Sequence, residues 1–222
     1  MNVRDAMNAR FTCRAFTPER VDVGTIRTIV EASIKAPSWG NTQPWEIFVA
    51  HGKSVDSLRK AYSDRFAQDL PATPDLSRPL PKDWPSALKA RYDQLRNDRS
   101  DFLGLDREDQ KNMRLLMERN FCFFDAPCVI FLCMDRNLTH WSLFDLGSLS
   151  QSIMLVACEH GLGTAVAVQL ASYPDLVRQE LGIPENLAVC IGIAIGHIDA
   201  SSPQNRFRST RRHIDEIVRI KG

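Results

Sequence analysis

The sequence predicts an α+β protein with a mixed central β-sheet flanked by helices. Two apolar runs, Pro127–Asp135 and Leu187–Gly196, have the length and continuous hydrophobicity of strands that are covered on both faces. Val23–Lys35 carries apolar residues at the spacing of an amphipathic helix. Trp141–His160 is predicted as a longer helix, in which small residues interleaved with leucines favour close packing on more than one side.

Shorter elements connect these four. The sequence predicts a helix over 3–9, a strand over Glu46–Ala50, a helix over Lys53–Phe66, a strand over Ala165–Leu170 and a helix over Tyr173–Leu181. Pro174 in the first turn and Gly182 after the last turn are typical of helix ends. Gly161 is predicted to end the Trp141–His160 helix in the left-handed conformation, with the cap continuing to Thr164.

Size and composition limit the classes of function. The 222 residues suffice for one sizeable domain, and we expect residues 1–222 to form a single unit. A protein that acts mainly on nucleic acid or anionic membrane needs a basic face, whereas the net charge here is +1. No apolar run reaches the roughly 20 residues of a membrane span, and the N-terminus lacks the apolar segment of a secretory signal. The sequence therefore predicts neither nucleic-acid nor membrane partners.

The six cysteines indicate a reducing compartment. They lie at positions 13, 122, 128, 133, 158 and 190 and form no CxxC pair, so no structural zinc site is predicted. Cys128, Cys133 and Cys190 fall in apolar runs and are expected to be buried thiols. We therefore expect a cytoplasmic protein without a metal site.

The segment from residue 69 to residue 86 differs in character from the rest. It holds five prolines, at positions 71, 74, 79, 81 and 85, which predicts an irregular excursion. Residues 86–118 are rich in charge, have weak apolar periodicity and are predicted to be exposed helix. Together, about residues 64–115 are expected to form a lid over the mouth of a site.

A ten-residue loop, Ala36–Trp45 (APSWGNTQPW), follows the first amphipathic helix. Pro37 and Pro44 fix φ, and Gly40 permits positive φ, so the backbone can approach a flat ligand. Trp39 either stacks on a ligand or packs in a core or interface. Loops between rigid elements often carry binding groups, so this loop is either a ligand site or an ordinary Pro/Gly turn.

Two separated segments are rich in arginine. Arg10 and Arg14 flank Thr12 near the N-terminus, and the tail Asn205–Arg212 (NRFRSTRR) holds four more arginines. The planar guanidinium can donate two hydrogen bonds to phosphate oxygens. The segments are therefore either phosphate-binding or solvated basic surface, and the tail alone is also compatible with a weak nucleic-acid contact.

No motif for acid–base, nucleophilic or metal catalysis accompanies these features. Gly147-Ser148-Leu149-Ser150 lacks the second glycine of a nucleophile elbow, and the five histidines are scattered. No GxGxxG dinucleotide fingerprint is present. We therefore name no catalytic side chain.

Several motifs resemble those of the nitroreductase family. The APSWGNTQPW loop is similar to the family's A-P-S-x-x-N-x-Q-P-W signature. Arg10–Phe16 resembles its R-R-S-x-R-x-F segment, with Phe11 in place of the usual second basic residue. Arg119–Pro127 resembles R-N-x-x-F-F-x-A-P, Trp141–His160 resembles the D-x-G-x-x-x-Q helix, and Asn205–Arg211 resembles N-x-x-R-x-x-R. Only about residues 64–115 lack a recognisable match.

The resemblance implies that the chain carries FMN. The family uses the N-terminal arginine segment for the FMN phosphate and ribityl chain, the Arg14 position for the pyrimidine side of the flavin, and one tail arginine to close over the phosphate. Backbone amides near Val168 and Gln169 are expected at the flavin's reactive edge, and Asn120 is either a flavin contact or a helix-terminal residue. The expected cofactor-binding residues are Arg10, Phe11 through its backbone, Thr12, Arg14, Pro37, Ser38, Asn41, Asn120, Val168, Gln169, Arg208 and Arg211.

The resemblance also implies an assembly and a reaction. It implies a nitroreductase-like fold in an intertwined homodimer with FMN at the interface, where Ser38 and Asn41 serve the partner's flavin and Trp39 stacks on substrate. A monomer with Trp141–His160 as its core helix is the alternative. The expected reaction moves a hydride from NADH or NADPH through the flavin to a nitroaromatic, quinone or similar small acceptor by ping-pong turnover. The alternatives are reductive dehalogenation, enone reduction, flavin breakdown, or a flavin-binding protein without turnover.

Overall fold

The computed structural model describes residues 1–77 and 80–222. Arg78 and Pro79, the latter one of the five prolines of the predicted excursion, lie outside the described residues. The helices are α1 (Val3–Ala9), α2 (Val23–Ser33), α3 (Lys53–Ala67), α4 (Ser86–Leu103), α5 (Gln110–Phe121), α6 (His140–Glu159) and α7 (Pro174–Leu181). The strands are β1 (Glu46–His51), β2 (Cys128–Asp135), β3 (Leu162–Ala167) and β4 (Leu187–His197).

The four strands form one sheet in the order β1-β2-β4-β3, and every neighbouring pair is antiparallel. Among the described residues, the parallel component is a single bridge between Thr12 and Thr164, which pins the N-terminal segment to the edge strand β3. The predicted α+β class is confirmed. The sheet was predicted to be mixed. Its four strands are all antiparallel to their neighbours, so the parallel pairing is limited to this bridge.

Strand β2 separates two hydrophobic clusters. Val129 and Phe131 pack in the cluster that holds the inner faces of α3 and α7. Ile130 and Leu132 pack in the opposite cluster with α2 and α6. Successive side chains of a strand point to opposite faces, so a strand covered on both sides must be apolar at every position. The prediction of a buried central strand over Pro127–Asp135 is confirmed.

The strand predicted over Ala165–Leu170 is wrong by three residues. β3 lies earlier, and Val168–Ala171 is a 3-10 turn. Gly161 has the predicted left-handed conformation, with φ +73°. Gly163, which the sequence had suggested as part of the helix cap, lies in β3, where a Cβ would stand 2.9 Å from the Cys13 Cβ. Ile198 Cγ1 would be nearer still, at 2.7 Å, so glycine is required there by the close approach of Ile198 and Cys13 and not by a turn.

The exposed helix predicted over 86–118 is divided into α4 and α5. Gly104 has φ +64° and ends α4, which explains the break. Phe102 of α4 packs against Phe207 of the C-terminal tail, with ring centres 5.7 Å apart. The excursion is therefore attached to the tail, and its role as a lid stays a prediction.

The irregular part of the excursion is anchored by a buried carboxylate. Asp75, whose side chain is 9% exposed, accepts hydrogen bonds from Arg178 of α7 and from the backbone N–H of Val189 in β4. The anchor holds the Pro-rich segment against the sheet. In the part of the chain that the structure describes, no helix combines the length and the apolar character that crossing a membrane requires.

Candidate functional site

The two arginine-rich segments meet in the structure. Asn205, which is 5% exposed, accepts a hydrogen bond of 2.7 Å from the backbone N–H of Arg14. Its amide donates to the carbonyls of Ala15 at 2.7 Å and Asp199 at 2.9 Å. A buried side-chain amide with its donors and acceptor satisfied fixes both backbones. Asn205 therefore holds the beginning of the chain against its tail.

A cavity of about 380 Å³ opens between these segments, and we call it the arginine cavity. Its volume falls within the roughly 300–1,000 Å³ of small-molecule sites. The sequence-predicted residues that line it are Arg10, Phe11, Thr12, Arg14, Arg208 and Arg211. The other residues that line it are Met7, Asn8, Leu95, Phe207 and Ser209.

The arginines of this cavity are held by neutral groups. Arg14 Nη1 donates to the Thr12 carbonyl at 3.3 Å, and Arg211 Nη1 donates to Ser209 Oγ at 2.8 Å. Arg208 lies over the Phe11 ring, with Cζ 3.7 Å from the ring centre. Within residues 1–77 and 80–222, none of the cavity's arginines forms an ion pair with a carboxylate.

This charge distribution fits a phosphate-bearing ligand. Burial lowers the pKa of the Arg14 guanidinium, so its charge is partly removed from water without a counter-charge. A phosphate monoester carries a charge of about −1.5 to −2 and accepts several hydrogen bonds. The hydroxyls of Thr12 and Ser209 add neutral donors at the same cavity. The residues present therefore fit the phosphate of FMN.

Cys13, between the cavity residues Thr12 and Arg14, is not activated as a nucleophile. Burial raises the pKa of Cys13 to about 11, and its Sγ donates to the Ala15 carbonyl at 3.2 Å. The thiol stays protonated near neutral pH, and only the thiolate reacts readily. In the described ranges, no group of three or more His, Cys, Asp or Glu residues is gathered so as to hold a metal ion.

The Ala36–Trp45 loop is built from left-handed residues. Gly40, Asn41 and Gln43 have φ values of +56°, +58° and +47°. The Gln43 backbone N–H donates to Ser38 Oγ at 2.9 Å and closes the loop. Positive φ is costly for the non-glycine residues Asn41 and Gln43, and the loop holds both of them in this conformation.

A carboxylate on α6 supports the same loop. The Trp39 backbone N–H donates to Asp145 Oδ2 at 3.2 Å, and Asp145 is 4% exposed. The Trp39 side chain is 76% exposed, so it is not a core residue, whereas Trp45 is buried. Trp39 is thereby presented on a supported loop, and its contact with substrate stays a prediction.

Other predicted residues lie outside the arginine cavity. Pro37, Ser38 and Asn41 belong to the loop, and Val168 is 43% exposed at the start of its 3-10 turn. Gln169 lines a separate cavity of about 330 Å³. The roles of these residues toward the flavin stay predictions.

The side chain of Asn120 forms its hydrogen bonds within its own helix. Its amide donates to the carbonyls of Leu116 at 3.2 Å and Met117 at 3.1 Å, near the end of α5. This is the arrangement that the helix-terminal alternative predicts. A flavin contact would require the amide to leave these carbonyls.

Sequence reasoning missed several residues of the site. Phe207 and Ser209 alternate with the predicted arginines of the tail, and this alternation could have identified them as residues of the same site. Leu95 comes from α4, where the weak apolar periodicity gave none. Asp145 is part of the D-x-G-x-x-x-Q pattern, but its contact with a loop about a hundred residues earlier becomes visible only in the fold.

Known proteins are similar to this chain over its whole length. The curated nitrobenzene nitroreductase of Ectopseudomonas oleovorans is 29% identical over 216 residues, which cover 97% of this chain and 95% of that protein. The crystal structure of the FMN- and NADPH-dependent nitroreductase NfnB from sphigopyxis sp. strain HMH matches with a TM-score of 0.93 and 29% identity, covering 100% of both chains. The FMN-dependent NfnB from Mycobacterium smegmatis, solved in complex with NADPH, matches with a TM-score of 0.92 and 28% identity, again over 100% of both chains.

The family model described as "Nitroreductase family" matches residues 7–197. This range includes the N-terminal arginine segment, the Ala36–Trp45 loop and all four strands. The resemblance read from the sequence motifs and the expected fold are both confirmed. The chain belongs to the nitroreductase family.

Proposed function

We propose that this chain is a flavin-dependent oxidoreductase that carries FMN, is reduced by NADH or NADPH, and reduces a nitroaromatic, quinone or similar small acceptor. The observation that carries the proposal is the arginine cavity, whose cations have no carboxylate partners in the described residues. The relatives support the same reading, since two solved neighbours are named as FMN-dependent and one was solved with NADPH. The nitroaromatic part of the acceptor class is supported by the nitrobenzene nitroreductase relative.

The side chains of the arginine cavity would bind and orient the cofactor. Arg10, Arg208 and Arg211 would hold the phosphate, and the Thr12 hydroxyl would add a donor. Asn205 fixes the backbone of Arg14 by accepting its N–H. The Arg14 side chain would face the pyrimidine side of the flavin ring. A cation there stabilises the anionic reduced form.

Bound FMN would supply the redox chemistry, which is the transfer of two electrons from a reduced nicotinamide to an acceptor. The protein contributes orientation, electrostatics and exclusion of water. We include ping-pong turnover in the proposal: a single binding place serves first the reductant and then the acceptor. Trp39, exposed on a loop that Asp145 supports, would stack on the aromatic substrate.

We further propose that the working unit is a homodimer. Exposed aromatic residues lie on the Ala36–Trp45 loop and at the start of α6, where Trp141 is 70% and Phe144 is 71% exposed. The tail adds exposed Ile214, Ile217 and Ile220. Apolar surface of this kind is typical of an interface, and a second copy would cover it. All six cysteines are free thiols, which supports a reducing compartment such as the cytoplasm.

A visible absorption spectrum of the purified, desalted protein is the first test. We expect the spectrum of an oxidised flavin, bleaching on anaerobic addition of NADPH or NADH, and recovery when nitrobenzene is added. Parallel double-reciprocal plots against the two substrates would support ping-pong turnover. A protein that stays colourless after incubation with FMN would overturn the cofactor proposal. A yellow protein that neither nicotinamide bleaches would instead favour flavin binding without turnover.

A further inference from the structure

A cavity of about 330 Å³, separate from the arginine cavity, lies between α3, α5 and the residues that precede α7, and we call it the aromatic cavity. Phe66, Phe121 and Tyr173 line it in a row, with ring centres 4.7 Å apart in the first pair and 5.7 Å apart in the second. Phe121 and Tyr173 are buried, whereas Met117 and Leu70 are each 45% exposed. Buried rings therefore form the base of the cavity, and apolar side chains form its rim.

This lining suits a flat ligand ring. Aromatic rings pack favourably against one another in offset and edge-to-face arrangements, and the thioether of a methionine such as Met117 makes favourable contacts with a ring. The volume lies near the lower end of the roughly 300–1,000 Å³ of small-molecule sites. The aromatic cavity therefore matches one substituted ring and is too small for a whole dinucleotide.

Gln169 gives the aromatic cavity an accessible polar group. Its backbone carbonyl accepts the N–H of Ser172 at 3.1 Å, whereas its side-chain amide has no hydrogen-bond partner among the described residues. The hydroxyl of Tyr173, by contrast, already donates to the Leu70 carbonyl at 3.1 Å. Gln169 is half-buried at the cavity, so a ligand can reach it. An unpaired amide NH₂ can donate to an oxygen of that ligand.

The aromatic cavity offers no free charge. The described residues that line it include no lysine, arginine or histidine, and its one carboxylate, Asp69, is paired with Arg114 Nη1 at 2.7 Å. Arg114 also lies over the Phe66 ring, with Cζ 4.8 Å from the ring centre. A ring that carries a carboxylate would lose water here without gaining an unpaired cation, which is unfavourable. The cavity therefore favours an uncharged ring.

We propose that the aromatic cavity binds the ring of the electron acceptor, that Gln169 donates to its nitro oxygen, and that the site selects uncharged nitroaromatics over nitrobenzoates. This inference rests on the proposed function and deepens it, since it names the substrate class. The backbone of Gln169 is the part expected at the flavin's reactive edge, so its side chain would hold the acceptor beside the cofactor. No other part of the proposed function uses this side chain.

Binding of nitrobenzene without turnover tests the cavity. Full-length protein, as purified, is titrated with nitrobenzene in the absence of nicotinamide, and the ligand is followed by NMR. Met117→Trp adds a bulky ring at the rim and should weaken binding about tenfold. Leu115→Trp is the matched control, because Leu115 is an exposed residue of the same helix that does not line the cavity. Equal affinities of these two variants would overturn the inference.

A second pair of variants tests Gln169. Gln169→Leu keeps the size of the side chain and should lower the affinity for nitrobenzene about three- to tenfold, as for loss of one neutral hydrogen bond. Gln179→Leu changes an exposed glutamine of α7 that lies outside the cavity lining, and it should bind as the wild type does. If Gln169→Leu fails to fold, Gln169→Glu removes the donor with less change of shape. A folded Gln169 variant with wild-type affinity overturns the assignment of this residue.

Substrate selection is tested by kcat/KM for nitrobenzene relative to 4-nitrobenzoate, with NADPH as the common reductant. We expect the wild type to favour nitrobenzene by about tenfold or more. Asp69→Asn leaves Arg114 without its carboxylate and should lower the ratio, because 4-nitrobenzoate then meets a free cation at the rim. Asp69 has φ +52°, which asparagine also tolerates, so the backbone is kept. A wild-type ratio of one or less overturns the selection.

These measurements separate the inference from the proposed function. If nitrobenzene binds and Met117→Trp weakens that binding, but the protein does not oxidise NADPH, the proposed function is overturned and the aromatic cavity stands as a binding site. If the protein reduces nitrobenzene, yet Met117→Trp binds it as tightly as Leu115→Trp does, the proposed function stands and the inference is overturned.

Discussion

Arg208 holds its guanidinium over the ring of Phe11, with 3.7 Å between Cζ and the ring centre. The contact joins the C-terminal tail to the N-terminal segment across the arginine cavity. Arg208 Nη1 also donates to the carbonyls of Asn205 and Phe207, so the cation is fixed on both sides. Phe11 is the position where the sequence departs from the family's usual basic residue. An aromatic face there attracts a neighbouring cation that a basic residue would repel.

Replacing Phe11 by alanine should weaken FMN binding by about three- to tenfold, equivalent to roughly 1 kcal/mol. The loss would come from the freedom that Arg208 gains when the ring is removed. Phe11→Tyr keeps the aromatic face and should bind FMN as the wild type does. Fluorescence titration of the apoproteins measures both affinities. Equal affinities of the alanine and tyrosine variants would show that the ring does not position Arg208 for the cofactor.

Removing two cations from opposite sides of the arginine cavity should abolish stable FMN binding. We expect the Arg10→Ala, Arg211→Ala double variant to be purified without flavin, because hydrogen bonds to a charged group contribute about 1.5–3 kcal/mol each. The measurement is the ratio of flavin to protein absorbance after desalting. Arg206→Ala is the matched control, since Arg206 is an exposed tail arginine that donates to the Ser201 carbonyl. A double variant with full flavin content would contradict the assignment of Arg10 and Arg211 to the FMN phosphate.

The fold could be predicted wherever burial dictates composition. β2 and β4 are apolar at nearly every position because both of their faces are covered, and this pattern is visible without a structure. The error at β3 has the opposite origin. Gly163 resembles a turn residue, yet it is glycine because Ile198 and Cys13 lie against it. A contact between residues 150 positions apart leaves no periodic signal in the sequence.

The candidate site was predictable where a motif concentrates it in one segment. Arg10, Arg14 and Arg211 were identified from two short stretches, and the structure brings those stretches to one cavity. Leu95 was not predicted because α4 is exposed on most of its surface, so its apolar residues show no clear stripe. The packing of Phe102 on Phe207 places α4 beside the cavity, and a contact between segments so far apart in the chain is not visible in the sequence.

The proposed homodimer predicts a strong effect for a charge on the exposed face of α6. Phe144→Asp should shift the protein from dimer to monomer and reduce its FMN content, since a lone carboxylate in an apolar interface is costly to desolvate. Size-exclusion chromatography with light scattering measures the mass, and absorbance measures the flavin. Leu88→Asp on α4 replaces another exposed apolar residue and should leave both unchanged. A Phe144→Asp protein that remains dimeric would place the interface elsewhere.

The anchor of the Pro-rich segment makes stability depend on pH. Burial alone would raise the pKa of the Asp75 carboxyl, but hydrogen bonds from Arg178, from the Val189 backbone N–H and from Arg136 together outweigh it and lower the pKa below its ordinary value. A carboxyl whose pKa is lowered on folding stabilises the protein above its unfolded pKa of about 3.9. That contribution is lost as the pH falls through the lower pKa of the folded state.

Asp75→Asn should therefore destabilise the protein more at neutral pH than in acid. At pH 7 we expect the free energy of unfolding to fall by about 3 kcal/mol, the lower end for a buried ion pair, because Arg136 is partly exposed. Near pH 3, below the unfolded pKa, the difference from wild type should shrink, because the carboxyl of the unfolded chain then binds a proton and the carboxylate stabilises the folded state less. Urea denaturation at both pH values measures the two differences.

Asp64→Asn is the control, since it removes an exposed partner of Lys60, and it should change the free energy of unfolding by less than about 1 kcal/mol at either pH. A penalty for Asp75→Asn that is the same at pH 7 and pH 3 would mean that the carboxylate's shape, and not its charge, holds the excursion to the sheet.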